Sequence, residues 1–257
     1  MDQRVRGAAS LNRAPAAAGD AAAGIAQAIE LSAVRFRWRA QRSPCLSIAH
    51  FALASGERVF LHGESGSGKS TLLNLIAGVL LPEAGSLRVL DQELARLSGS
   101  ARDRLRADHI GFVFQQFNLI PYLSVMENVL LALRFSPRRA ARAGGGSRAR
   151  AAEVARLLAS LDLDPALQTR TAAELSVGQQ QRVAVARALI GSPEIVIADE
   201  PTSSLDAVRQ QAFMELLLEE CGRAHAALLF VSHDLRLARH FGRCVAMADI
   251  NLAEAGS

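Results

Sequence analysis

The chain has 257 residues, half of them apolar, with 29 Lys and Arg against 25 Asp and Glu for a formal net charge of +4. So much apolar content supports a large core and excludes a chain that is disordered throughout or dependent on disulfides, and no apolar run approaches the roughly 18 residues of a membrane span. The three cysteines, Cys45, Cys221 and Cys244, are odd in number and lack metal or redox spacing, so they read as reduced thiols packed as small core residues in a cytosolic protein.

Residues 1–27 are rich in Ala and Gly and carry Arg4, Arg6 and Arg13, which predicts a disordered tail. Asn12, Arg13 and Asp20 interrupt any segment that could serve as a secretory signal. From Ile29 the apolar residues alternate through Ile29, Leu31, Ala33 and then Val34, Phe36 and Trp38, and a second strand is predicted over residues 46–53, closed by a turn at Ser55 and Gly56. Trp38, the only tryptophan, has two readings, core packing or a flat face for a purine ring.

Residues 58–62, RVFLH, form a short apolar run of buried-strand type, and residues 63–71 follow as GESGSGKST. Gly, four residues, then Gly-Lys-Ser between a strand and a helix is the phosphate-loop pattern. Gly63, Gly66 and Gly68 lack the β-carbon that would hold backbone N–H groups away from phosphate oxygens, and the helix start adds the positive end of a dipole. Lys69 is the only lysine in the chain, a compact ammonium suited to a point contact on phosphate, and Ser70 is placed to hold Mg²⁺. Leu72, Leu73, Leu75 and Ile76 recur at helical spacing until Gly78 ends the helix.

A turn over residues 80–85 leads to a strand over 86–90, and residues 108–116, DHIGFVFQQ, read as a buried strand delivering Gln115 or Gln116 at its carboxyl end, where open α/β sheets place ligand groups. Ser124 and Glu127 form a capping box opening a helix through Leu133. Residues 134–150 hold six arginines, no acid and a triple glycine, which reads as a solvated flexible connection or, more sharply, a contact with anionic lipid or a partner. Residues 151–161 are an amphipathic helix. Ser176 and Gln179 of LSVGQ form another capping box, starting a helix that runs to Leu189 with Gly191 beyond it. No acid fills that helix start, so it can bind an anion. Residues 194–200, EIVIADE, predict a central parallel strand whose end presents Asp199 for Mg²⁺ and Glu200 as a base for an attacking water. Residues 226–231 are a further buried strand, followed by His233 and then by Asp234, which can cap the next helix.

In this order, GESGSGKST, FVFQQ, LSVGQQQR, IVIADEPTSSLD and FVSHD resemble the nucleotide-binding subunit of an ABC transporter over residues 29–250. The resemblance implies an α/β fold with a RecA-like phosphate-loop core, an antiparallel β edge subdomain and an inserted helical subdomain. It implies one ATPase domain over 28–257, its core from 28–93 and 187–257 and its helical subdomain from 94–186. ATP and Mg²⁺ are then the expected cofactors. Gly63, Glu64, Ser65, Gly66, Ser67, Gly68, Lys69, Ser70 and Thr71 become the nucleotide loop, Trp38 the aromatic stacked on adenine, and Ser176, Gly178 and Gln179 the signature that closes on a partner's ATP. Ser70, Gln115 and Asp199 become the Mg²⁺ group, Glu200 the base, His233 the switch histidine on the γ-phosphate, and 204–206 the loop that communicates across the dimer. The expected partners are a second copy, head to tail, and an integral membrane permease that holds the subunit on the inner face of the cell membrane. Val177 departs from the family's usual glycine.

HIGFVFQQFNLIPYLSVMENV is most similar to the lipoprotein-releasing, macrolide-exporting and FtsE-like subgroup, which implies a permease of the FtsX or MacB kind. An importer ATPase is the alternative within the family. A DNA-maintenance ATPase is the alternative outside it, but residues 115–175 hold neither sustained heptads nor metal-spaced cysteines, and no nucleic acid partner is expected.

Overall fold

The computed structural model describes residues 26–39, 43–203 and 205–253; most of the expected tail and Ser204 lie outside these residues. In chain order the elements are β1 (Gln27–Phe36), β2 (Leu46–Ala54), β3 (Arg58–His62), α1 (Lys69–Ile76), β4 (Ala84–Val89), β5 (Gln92–Glu93), α2 (Gly99–His109) and β6 (Ile110–Val113). They continue with α3 (Val125–Arg134), α4 (Pro137–Arg142), α5 (Ser147–Ser160), α6 (Val177–Leu189), β7 (Ile195–Asp199), α7 (Ala207–Arg223), β8 (Ala227–Val231), β9 (Arg243–Ala246) and α8 (Met247–Ile250). The strands form an antiparallel sheet ordered β2-β1-β4-β5 and a parallel sheet ordered β6-β7-β8-β3-β9.

The slip in the alternation of the first strand has a local cause. Ala33 takes φ 51° and the pairing of β1 with β4 shifts register between Ser32 and Arg35, so Leu31 and Val34 are both buried despite their odd spacing. Such a bulge lets one extra residue pass before alternation resumes.

In the parallel sheet, strict period-two alternation sorts side chains into two layers. Phe60, Val113, Val196, Ala198, Leu228 and Phe230 pack under α3, α5, α6 and α7. Val59, Leu61, Ile195, Ile197, Leu229 and Val231 pack on the other face against α1 and the antiparallel sheet. Each fully buried aliphatic or aromatic side chain contributes about 1.5–3 kcal/mol, so both faces hold the central strands in place. Gly111 is what brings α6 onto β6: a β-carbon there would lie 2.2 Å from the Ala188 carbonyl oxygen.

Four expectations need correction. Asp108 and His109 close α2 and do not enter the strand, because Asp108 accepts a hydrogen bond from Ser136 at 2.5 Å and His109 Nδ1 lies 2.8 Å from Glu194; the strand begins at Ile110. That strand falls inside the segment 94–186 expected to be a helical insertion, yet it pairs with β7 in the central sheet. Of the cysteines, only Cys221 is buried, while Cys45 is partly exposed and Cys244 exposed.

The largest correction concerns residues 134–150, which are mostly helical. Ser136 caps α4 with Pro137 in its first turn, and Arg139 is buried, its Nε donating to the Ile190 carbonyl at 2.8 Å and Nη2 to that of Ala188 at 2.6 Å. Burial lowers the Arg139 pKa to about 10 against the opposing pull of Glu194 and Asp108. Arg138 and Arg142 converge on Glu194 at 2.7 and 2.8 Å, and Arg150 donates to the Gly144 carbonyl. Burial works to raise the Glu194 carboxyl, but hydrogen bonds from His109, Arg138 and Arg142 outweigh it and hold the group well below the usual carboxylate range. Arg138, Arg139 and Arg142 thus serve the carboxyl end of α6 and the start of β7, where orphan carbonyls favour cations.

Candidate active site

The loop between β3 and α1 is shaped by backbone conformation. Gly68 is the N-cap of α1 with φ 98°, a left-handed geometry that glycine alone adopts without strain, and no side chain caps this helix. Among the described residues, the N–H groups of Gly66, Gly68, Lys69, Ser70 and Thr71 donate to no protein acceptor, and the first turn holds no acid. Lys69 Nζ donates to the carbonyls of Gly63 and Glu64 at 2.7 and 2.8 Å, which ties the ammonium to the loop and leaves one of its three donors free. Ser67 Oγ is buried without a hydrogen-bond partner among the described residues. Glu64, Ser65, Gly66 and Ser70 are exposed. A concave row of free N–H donors, an ammonium and a helix start fits a polyphosphate.

The ends of β7 and β8 carry the acids and the histidine. β8 lies between β7 and β3, so Asp199 emerges one strand from the loop. Its carboxyl is raised above the ordinary range, first by burial and then by Glu200, while Lys69 pulls it down; a desolvated carboxylate beside a second one suits a divalent cation. Glu200 follows with φ 46°, its N–H donating to the Val231 carbonyl at 2.9 Å. Its Oε1 accepts from the His233 N–H at 3.0 Å and lies 2.9 Å from His233 Nδ1, and its Oε2 accepts from the buried Ser232 hydroxyl at 3.3 Å. The carboxylate therefore holds the ring through Nδ1 and leaves Nε2 of this exposed ring for a ligand. This is the partner for His233 that the sequence did not disclose.

Gln115 is exposed in the turn after β6, at the carboxyl end of the same sheet. Trp38 lies just past β1, its ring edge-on to Phe36 at a centroid distance of 5.1 Å, and is 43% exposed, so it is not a core residue. The loop, Gln115, Asp199, Glu200 and His233 thus gather at one end of the parallel sheet. Ser176, Gly178 and Gln179 stand apart. They open α6 with a reciprocal capping box, Gln179 N–H to Ser176 Oγ and Ser176 N–H to Gln179 Oε1, and form no hydrogen bond to residues 63–71. Beside them Val177 is exposed, and nothing crowds a β-carbon built at Gly178.

Sequence reasoning missed three supporting residues. Arg187 of α6 donates to the carbonyls of Phe117 and Asn118, at 2.5 and 2.6 Å, and so holds two consecutive left-handed residues of the Gln115 loop. Gln181, also of α6, donates to the Pro201 carbonyl at 2.6 Å. Asn251 donates to the carbonyls of Ser67 and Cys45 and accepts from the Ser47 N–H, tying the phosphate loop to β2. The polar run of Gln180, Gln181 and Arg182 inside an apolar helix was the one visible signal for Gln181.

Comparison with known proteins matches residues 46–203 to the ABC transporter family. The chain is 41% identical over 199 residues to the uncharacterized ABC transporter ATP-binding protein YbbA of Escherichia coli (strain K12), covering 77% of this chain and 84% of that one. It is 41% identical over 202 residues to the lipoprotein-releasing system ATP-binding protein LolD of Hydrogenovibrio crunogenus, covering 79% and 84%. With the probable syringafactin export ATP-binding/permease protein SyfD of Pseudomonas syringae it shares 38% identity over 223 residues, 86% of this chain but 33% of that protein. Among solved structures, the dimeric post-hydrolysis state of the ATP-binding cassette MJ0796 bound to ADP and Pi superposes with a TM-score of 0.77 at 33% identity, covering 89% of this chain and 100% of the other.

Proposed function

Because this chain belongs to the ABC transporter family and is the ATP-binding and hydrolysing subunit of a membrane transporter, we propose that its turnover runs on the residues gathered at the carboxyl ends of β3, β6, β7 and β8. That convergence carries the reading. The free N–H groups of residues 66–71 and the Lys69 ammonium hold the triphosphate, and Trp38 stacks on the adenine. Glu200 orients the attacking water and takes its proton, and His233, aligned by Glu200, contacts the γ-phosphate as negative charge develops there. Mg²⁺, held by Ser70, Asp199 and Gln115, would neutralise phosphate charge.

Two copies pair head to tail, the Ser176, Gly178 and Gln179 face of one closing on the loop of the other. The open, uncrowded start of α6 and the dimeric cassette relative support this. No helix among the described residues is long and apolar enough to cross a membrane, so a permease of the FtsX or MacB kind supplies the membrane passage and holds the subunit on the cytoplasmic face. Its docking site is the cavity of about 440 Å³ beside the Gln115 loop, lined by Phe112, Phe114, Asn118, Leu131, Phe135 and Arg187. Relatives named for lipoprotein release and syringafactin export favour release or export as the work done. Among residues 115–175 the α-helices are α3, α4 and α5, of 10, 6 and 14 residues, too short for the coiled coils of a DNA-maintenance ATPase.

The Glu200→Gln variant tests the reading. Phosphate release should fall about 10²- to 10⁴-fold with ATP affinity retained, and the ATP-loaded variant should elute as a dimer and retain a polytopic membrane protein from detergent-solubilised membranes. Parental turnover would remove Glu200 as base, and capture of nucleic acid in place of a membrane protein would remove the transporter role.

A further inference from the structure

We propose that Gln181 is a positioning residue for hydrolysis, holding Glu200 in its left-handed backbone geometry through the Pro201 carbonyl. Glu200 takes φ 46°, which a residue with a β-carbon adopts only when its surroundings impose it. The next residue is proline, which has no N–H, so the carbonyl of Pro201 is the one backbone hydrogen-bonding group through which that residue can be held. Gln181 supplies the donor: its side chain is 1% exposed and Nε2 lies 2.6 Å from the Pro201 oxygen. One residue on, Thr202 is 1% exposed and its carbonyl accepts from Gln210 Nε2 of α7 at 3.2 Å. On the other side of the segment, the Glu200 N–H is fixed by the Val231 carbonyl. The peptide around the base is thus pinned from β8, α6 and α7.

The α6 attachment differs from the other two in where it leads. Gln181 sits in the second turn of the helix that Ser176 opens, and the same helix reaches the Gln115 loop through Arg187. A shift of α6 along its axis would therefore act on the base and on the Gln115 loop together. Gln181 acts through Glu200 and not by touching nucleotide or water itself.

The inference rests on Glu200 being the base, and the experiment separates the two. Turnover and ATP affinity are measured for the parent, Glu200→Gln, Gln181→Met and Gln181→Glu across a pH series. Methionine keeps the shape and removes the donor, so turnover should fall about 10- to 100-fold, as small misplacements of a catalytic group do, with KM within about twofold of the parent. In Gln181→Glu the protonated carboxyl can donate to the Pro201 oxygen and the ionised one cannot. Burial raises that carboxyl's pKa, so its turnover relative to the parent should be near full at acidic pH and fall as pH rises. A merely space-filling role would move neither the kcat-against-KM split nor that pH dependence. Parental turnover in Gln181→Met, or a flat profile for Gln181→Glu, overturns the proposal while leaving Glu200 in place. Should Gln181→Met fail to fold, the Gln181→Glu profile alone decides. Parental turnover in Glu200→Gln overturns the base assignment and the inference with it.

Discussion

The two helix starts that carry the binding motifs are built in opposite ways. α1 begins at a left-handed glycine with no side-chain cap and no acid, and among the described residues the N–H groups of Gly68, Lys69, Ser70 and Thr71 donate to no protein acceptor. α6 begins at Ser176 with both halves of a capping box closed, so two of its orphan donors are already served by Ser176 and Gln179. A helix that leaves its start unserved gives up about 1 kcal/mol of capping and recovers it when an anion arrives. A helix that caps itself is stable alone and keeps an uncrowded glycine, Gly178, for contact with something else. One start is designed around a ligand, the other around its own integrity.

Lys69→Ala attacks the first of these directly. Losing charge-assisted contacts of roughly 1.5–3 kcal/mol each should weaken ATP binding at least tenfold in a calorimetric titration, with the folded state intact. Affinity at the parental level would show that the bare helix start suffices without the ammonium.

Ser176→Ala tests the second. Removing a cap of this type costs about 0.5–2 kcal/mol, which for a chain of this size lowers Tm by a few degrees, while ATP affinity of the isolated chain stays at the parental value. An affinity loss matching that of Lys69→Ala would place Ser176 in its own chain's phosphate site and erase the contrast between the two starts.

The smallest effect expected is electrostatic. The Asp199 carboxyl is raised, first by burial and then by Glu200, so its charged form is disfavoured in the folded chain. Stability from this group is therefore full below the ordinary carboxylate range and lost as pH rises through the raised value. Asp199→Asn escapes that loss. Without nucleotide its Tm should match the parent in acid and exceed it by a margin that grows as pH rises toward 7. A gap that shrinks with rising pH would contradict the assigned cause.

What could be read in advance follows from where the determining contacts lie. β3, β7 and β8 are continuous apolar runs and α1 an apolar stripe between glycines, so periodicity locates them to within a residue, and the capping boxes at Ser124 and Ser176 are purely local. Residues 134–150 failed because charge was counted without acceptors. Arg139 is buried because carbonyls 51 and 49 residues away receive it, and nothing within its own segment announces them. The same distance hid Asn251, whose partners lie 184 to 206 residues earlier. β1 was legible as a strand, but the displaced phase at Ala33 became a bulge only once β4 was paired beside it.

The helical character of residues 134–150 has a practical side. Arg139 fastens α4 to the carboxyl end of α6, whereas Gly145 and Gly146, between α4 and α5, are exposed with nothing within 4 Å of a β-carbon built on either. A fluorophore or affinity handle grafted at that glycine pair would ride on the helical layer without loosening it, while the same graft six residues earlier would sever the fastening. This short stretch therefore provides both an anchor that engineering must leave alone and, beside it, an attachment point from which the motion of the layer during turnover can be watched.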